Sequence, residues 1–206
     1  MTTPPTSFTP ELLAALTLFA FVSSITPGPN NTMLMASGAN FGLKRTVPHL
    51  IGVSLGFLVL ILAVGLGLGG LFAAYPLLHD LLKVLGCAYL LWLAWKLATA
   101  KGLGAAAAAG QPMTFLQAAG FQWVNPKAWA MAVSGVSAYT PQAGYVANLF
   151  VMGAVFTAVN LPCVSAWTGF GVGMRRFLDR PGAMKAFNLT MAALLVLSLW
   201  PMLAHG

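Results

Sequence analysis

Over 206 residues the chain is 59% hydrophobic and only 6% charged, with a mean hydropathy of +0.84. Several apolar runs reach the ~20 residues that a helix needs to cross about 30 Å of hydrocarbon, so the composition is that of a polytopic helical membrane protein rather than a soluble domain. The net charge of +7 does not point to nucleic acid or an acidic partner, because the ten Lys and Arg are spread over loop ends and one intramembrane position, a distribution that membrane topology explains.

In chain order, Met1 to Pro10 form a Thr/Pro tail with no positive charge. Neither an n-region nor a small-residue cleavage site is present, so the segment that follows is not read as a removable signal peptide. Apolar spans are expected at Glu11 to Phe41, Thr46 to Ala74, Leu77 to Ala100, Met113 to Ala138, Gly144 to Val172 and Ala183 to Leu203, which makes six. Lys44 and Arg45 follow the first span, Lys96 and Lys101 the third, and Arg175, Arg176, Arg180 and Lys185 flank the turn between the fifth and sixth. The remaining connections and tails hold only Lys83, so the positive-inside rule puts the three basic loops in the cytoplasm and both termini outside, in the periplasm. The stretch Lys101 to Gln111 is a low-complexity Gly/Ala linker. A single transmembrane domain, 1–206, is thus divided into a first repeat at about 11–100, a cytoplasmic linker at 101–112 and a second repeat at about 113–204.

The stretch Ser24-Ile-Thr-Pro-Gly-Pro-Asn-Asn-Thr32 interrupts the first span. Proline removes a backbone donor and pushes the preceding residue out of the helical region; in lipid this is tolerated only where protein or a watery cavity satisfies the freed groups. Sliding the sequence by 97 positions sets Pro29 on Pro126, Ser37 on Ser134, Gly38 on Gly135 and Gly56 on Gly153. The first span centres on residue 27 and the fourth on residue 126, so both proline breaks fall near the bilayer midplane. Three spans per half means that the second half enters the membrane from the opposite side. The expected fold is therefore all-α: six transmembrane helices as two inverted three-helix repeats, with helices 1 and 4 broken at the midplane, as in many secondary transporters.

Pro29 and Pro126 suit the first turn of a restarted helix, whose free N–H groups and positive dipole end favour an anion. The helix halves that precede them end in unpaired carbonyls, near Val22 to Thr26 and Gly120 to Val124, which accept from a cation. Donors and acceptors at one depth suit a zwitterion. A lysine at the centre of a span costs about 2.5 to 3.5 kcal/mol and is by default a functional residue; Lys127 is such a lysine. Its bland alternative, capping of backbone carbonyls or snorkelling to the interface, is made harder by its depth. The substrate-binding candidates are Thr26, Pro27, Gly28, Pro29, Asn30, Asn31, Gln122, Asn125, Pro126 and Lys127. Secondary candidates are Ser37 and Ser134, which share helix faces with Asn30 and Lys127 respectively, together with Asn160, where the fifth span is softened beside Pro162, and His49, a titratable group near the cytoplasmic interface.

The only acids, Glu11, Asp80 and Asp179, stand near span ends. No carboxylate at depth is available to hold a metal ion, a second ammonium or a relayed proton, which argues against divalent-metal transport and a dibasic substrate. A neutral amino acid or similar small zwitterion remains. Gly52-Val-Ser-Leu-Gly56 and the glycines at 65, 67, 69 and 70 are read as allowing close helix packing, and Gly169 to Met174 ends an apolar span without the strand a dinucleotide fingerprint requires. Trp92, Trp95, Tyr139, Tyr145 and Trp200 suit an interfacial aromatic belt. Cys87 and Cys163 lie in apolar runs 76 residues apart, not at equivalent repeat positions, so packing is preferred to a thiol-disulfide carrier. A structural protein whose breaks serve only packing is the third reading, under which Lys127 would be dispensable.

Four stretches together resemble the LysE/RhtB family of bacterial inner-membrane amino-acid exporters. They are Ile25-Thr-Pro-Gly-Pro-Asn-Asn31, the pair Lys44-Arg45 before a Gly-rich second span, Leu91-Trp-Leu-Ala-Trp-Lys96, and Phe121-Gln-Trp-Val-Asn-Pro-Lys127. The resemblance covers essentially the whole chain. It implies a secondary active exporter, not an enzyme, that moves amino acids or their derivatives across the inner membrane by alternating access, coupled to the proton gradient. Within the family the chain is most similar to the branch exporting cysteine and O-acetylserine, or neutral amino acids such as homoserine and threonine. The family's motifs fall on Pro27, Gly28, Pro29, Asn30 and Asn31, and on Asn125, Pro126 and Lys127. The direction of transport comes from the resemblance alone. The expected partners are a small zwitterionic amino acid and the lipid bilayer, with no nucleic acid, metal or cofactor; a homo-oligomer is left open.

Overall fold

The structure is a computed structural model that describes residues 8–68, 70, 74–100, 111–178, 180 and 182–200, and every regular element among them is helical. Most of the expected 101–112 linker, with Lys101, Gly69, Asp179 and both chain ends, lies outside the described residues.

Helix starts follow local chemistry. Thr9 accepts a hydrogen bond from the Leu12 N–H at 3.3 Å and Pro10 takes the first position of α1, Pro10–Ile25. Pro29 opens α2, Pro29–Phe41, which ends at Gly42, whose φ of 80° suits a glycine and turns the chain directly into α3, Leu43–Ala63. One turn of π-helix, Val64–Leu68, ends α3, and α4 runs Pro76–Ala98. Thr114 and Gln117 form a reciprocal capping box for α5, Phe115–Phe121. A 3₁₀ turn at Gln122–Val124 follows, then α6, Pro126–Tyr139, opened by proline like α2. The last two helices are α7, Tyr145–Leu178, and α8, Ala183–Leu197.

Two helical stretches among the described residues, Leu43–Leu68 and Tyr145–Leu178, are long and apolar enough to cross a membrane. The expected first span is a bent pair, α1 and α2, meeting at 56°. Helix α7 is central. Its Leu149, Met152 and Phe156 enter a core with Leu16 and Ala20 of α1, Phe57, Leu60 and Ile61 of α3, and Ala128 and Ala132 of α6. The Phe156 ring meets Phe57 and Phe19 edge-on, with centroids 5.4 and 5.9 Å apart, a favoured aromatic geometry.

Glycine sets the closest crossings. A Cβ on Gly38 would run into the Thr168 carbonyl, and one on Gly171 into the Met35 carbonyl, so α2 and α7 touch backbone to backbone. Gly52 and Gly56 do the same for α3 against Phe115 and Ala119 of α5. Gly67 instead has a φ of 114° inside the π turn, where the Tyr145 hydroxyl donates to the Gly65 carbonyl at 2.9 Å; a break of this kind frees carbonyls that need a partner. Cys87 packs into the α4–α8 cluster while Cys163 is buried on α7.

Arg45, Lys96 and Arg175 gather at one end. The Arg45 guanidinium lies 5.3 Å from the Phe41 ring centroid, Arg175 reaches the Gly42 turn, and Lys96, 4.9 Å from the Trp92 ring centroid, lines the same cavity as Phe41.

Candidate functional site

At the first break the chain is extended through Thr26 and Gly28, and its carbonyls are taken by protein donors. The Val22 carbonyl accepts from the Thr26 N–H at 3.2 Å and the Ser23 carbonyl from the Thr26 hydroxyl at 3.1 Å. Asn31 Nδ2 donates to the Ser24 and Thr26 carbonyls, both at 2.8 Å. The Trp167 indole donates to the Ile25 carbonyl at 3.0 Å. The sequence offers these carbonyls to a cationic ligand; in the folded chain Thr26 itself, Asn31 of α2 and Trp167 of α7 pair them instead.

Lys127 joins the two breaks. Asn125 caps α6 by accepting from the Lys127 N–H at 3.2 Å, which leaves the lysine stem lying across Gly28. There its Nζ donates to the Thr26 carbonyl at 2.8 Å, the Thr26 hydroxyl at 2.9 Å and the Pro27 carbonyl at 3.2 Å. An ammonium has three donors, and all three are used. The carbonyl-capping posture that the sequence makes the bland alternative is thus the one adopted, but the carbonyls belong to the other break. A Cβ on Gly28 would stand 2.8 Å from Lys127 Cδ and 3.2 Å from Nζ, so the absence of a side chain at position 28 is what admits the stem.

A second link is a reciprocal amide pair. Asn30 Nδ2 donates to Gln122 Oε1 at 2.8 Å and Gln122 Nε2 to Asn30 Oδ1 at 3.1 Å, while Gln122 also donates to the Ala118 carbonyl at 2.9 Å. Asn160 extends the network: it accepts from the Ser54 hydroxyl at 3.0 Å and donates to Ser24 Oγ at 3.2 Å. These groups surround a cavity of only about 30 Å³ lined by Gly28, Pro29, Asn30, Asn31, Asn125 and Lys127, room for a water or two. The two restarted helices differ. Asn125 caps α6, whereas Gly28 gives α2 no side-chain cap.

Ser37 and His49 stand apart from the breaks, on a larger cavity of about 450 Å³ walled by α2, α3, α4, the start of α5 and Leu195 of α8. Its volume is in the range of small-ligand sites. Ser37 donates to Thr46 Oγ1 at 2.9 Å, since that hydroxyl itself donates to the Gly42 carbonyl. Ser134 is exposed on α6 and lines neither cavity. Sequence reasoning missed Ser24 and Ser54 as partners of Asn160, and the buried Asn40–Asn188 pair, linked at 2.9 Å between α2 and α8. A polar residue inside an apolar run was the only signal for these, and it does not name a partner.

Amides, hydroxyls and one ammonium gather at the two helix breaks, and a ligand-sized cavity lies apart from them. The family model of the LysE type translocator matches residues 21–198, a stretch that includes both breaks. The chain belongs to the LysE type translocator family. This LysE type translocator is 32% identical over 197 residues to the cysteine/O-acetylserine efflux protein of Escherichia coli strain K12, covering 91% of this chain and 95% of the relative. The protein of the same name from Salmonella typhimurium strain LT2 is 31% identical over 193 residues, with the same coverage. That of Shigella flexneri is 32% identical over 197 residues, again over 91% and 95% of the two chains. No solved structure matches. As a family member the LysE type translocator is a transporter and not an enzyme, and its apolar helices are those of a multi-pass membrane protein.

Proposed function

We propose that this translocator exports small neutral amino acids, of the cysteine and O-acetylserine type for which its relatives are named, from the cytoplasm across the bacterial inner membrane by alternating access. One observation carries the reading: two proline-broken helices, 97 positions apart in sequence, are held together by Lys127 and by the Asn30–Gln122 pair, in a molecule whose basic end holds a separate ligand-sized cavity. Six spans arranged as inverted repeats are supported by the packing. Helix α3 lies on α5 as α7 lies on α1, while α3 meets α7 and α4 meets α8, the pairings that an exchange of the two halves predicts. With the basic end cytoplasmic and both termini periplasmic, the 450 Å³ cavity faces the cytoplasm and the 30 Å³ break site is collapsed.

In this reading the substrate enters through the large cavity and the breaks separate to admit it. Its carboxylate takes the uncapped first turn of α2 and the Lys127 ammonium, displacing the Thr26 and Pro27 contacts, and the carbonyls so released accept the substrate ammonium. Lys127 is then a residue whose partners exchange, not a fixed strut. Coupling to the proton gradient follows from the family resemblance and is read out by loss of uptake when a protonophore is added. A thiol-disulfide carrier is disfavoured by Cys87 and Cys163 packing into separate parts of the core.

The test is uptake of labelled O-acetylserine, cysteine, homoserine and threonine into everted vesicles. The wild type should concentrate at least one of them, and Lys127→Met should insert normally and fail to. Failure of the wild type on the whole panel, or wild-type rates in the variant, would sink the proposal.

A further inference from the structure

His49 is 1% exposed, and among the described residues it is the buried side chain whose polar atoms, Nδ1 and Nε2, both have no hydrogen-bond partner. The residue lines the 450 Å³ cavity, with both ring nitrogens buried. Three other polar side chains of that wall are committed elsewhere. Ser37 donates to Thr46, Asn40 donates to the Ala36 carbonyl and to Asn188, and Gln117 serves the α5 cap. Buried polar groups in native proteins are paired almost without exception; an unpaired one at the edge of a ligand-sized cavity marks a place for a ligand.

The charges around it decide which ligand chemistry it serves. Among the residues that line the cavity, α4 contributes Lys96 and the titratable Tyr89, while those from α2, α5 and α8 are uncharged; at the start of α3 itself, Arg45 lies over Phe41. No acid lines the cavity. In its neutral form the imidazole offers one donor and one acceptor. We infer that His49 is a recognition residue of the cytoplasm-facing cavity, hydrogen-bonding the polar end of the substrate side chain, a thiol, hydroxyl or ester carbonyl, before the substrate reaches the breaks. Rotation about the Cβ–Cγ bond, a broad torsion for histidine, presents a nitrogen to the cavity. This inference rests on the export reading above and adds to it the residue that selects the side chain.

The experiment compares the wild type, His49→Leu and His49→Gln as full chains, both purified for thermal unfolding and in everted vesicles for uptake of labelled O-acetylserine. Leucine removes an unpaired polar group, so His49→Leu should melt at or above the wild-type temperature yet show an apparent KM raised at least tenfold. Glutamine keeps a donor and an acceptor without titrating, so His49→Gln should stay within about threefold of the wild-type KM. Wild-type KM in His49→Leu overturns the inference, and so does a lowered melting temperature in that variant, which would make the residue structural. Equal loss of gradient-driven uptake in both variants, with substrate exchange intact, overturns it in favour of a proton carrier. A wild type that moves no neutral amino acid takes down the export reading and this inference together, whereas wild-type transport with an indifferent His49→Leu takes down this inference alone.

Discussion

Lys127→Met preserves most of the side-chain volume and removes an ammonium that spends three donors on Thr26 and Pro27. Charge-assisted hydrogen bonds contribute about 1.5–3 kcal/mol each, and the exposure of Thr26 puts these at the lower end, roughly 4.5 kcal/mol for the three. Against that, the variant no longer carries the roughly 2.5–3.5 kcal/mol cost of a lysine at mid-span. The Thr26 carbonyl keeps Asn31 at 2.8 Å, but the Pro27 carbonyl loses its lysine contact. The net expectation is a destabilisation of about 1–2 kcal/mol, or roughly 2–8 °C in melting temperature for a chain of this length. Thermal unfolding of purified protein measures the first effect, and labelled O-acetylserine uptake into everted vesicles, expected below about a tenth of wild type, measures the second. Lys127→Arg should fall between, because a planar fork does not place three donors on two carbonyls and a hydroxyl as an ammonium does. A Lys127→Met protein that melts and transports like the wild type would refute the bridge between the breaks.

Gly28 is extended, a conformation open to any residue, so Gly28→Ala acts only by pushing on the Lys127 stem 2.8 Å from the added Cβ; uptake should fall several-fold with little loss of folded protein, and an unchanged rate would mean that the stem moves aside at no cost. Gln122→Leu leaves Asn30 without its amide partner, at a cost of about 1–3 kcal/mol. The double variant with Asn30→Leu should cost less than the two single changes combined, a coupling of about 1 kcal/mol in a double-mutant cycle on melting data, and strict additivity would argue against the pair. Thr99 is exposed at the mouth of the large cavity. In a Cys87→Ala, Cys163→Ala background, Thr99→Cys should react with an impermeant thiol reagent in everted vesicles and resist it in intact cells; labelling from outside the cell would reverse the orientation.

The sequence by itself determined the class of the protein, the position of both breaks and the family. Those features are local or compositional: a proline ends a helix wherever it stands, hydrocarbon demands long apolar runs, and the basic pairs are visible without a fold. The tertiary structure decided who partners whom. That Lys127 crosses to Thr26, that Asn31 turns back on its own break, that Asn30 pairs with Gln122, and that Ser37 and His49 belong to a separate cavity while Ser134 faces outward all depend on how α2, α6 and α7 cross. That crossing is set in part by Gly38 and Gly171, which bring two backbones into contact. Hydrogen bonds between residues about 100 positions apart exist only at that separation and angle, and no pattern along the chain encodes them.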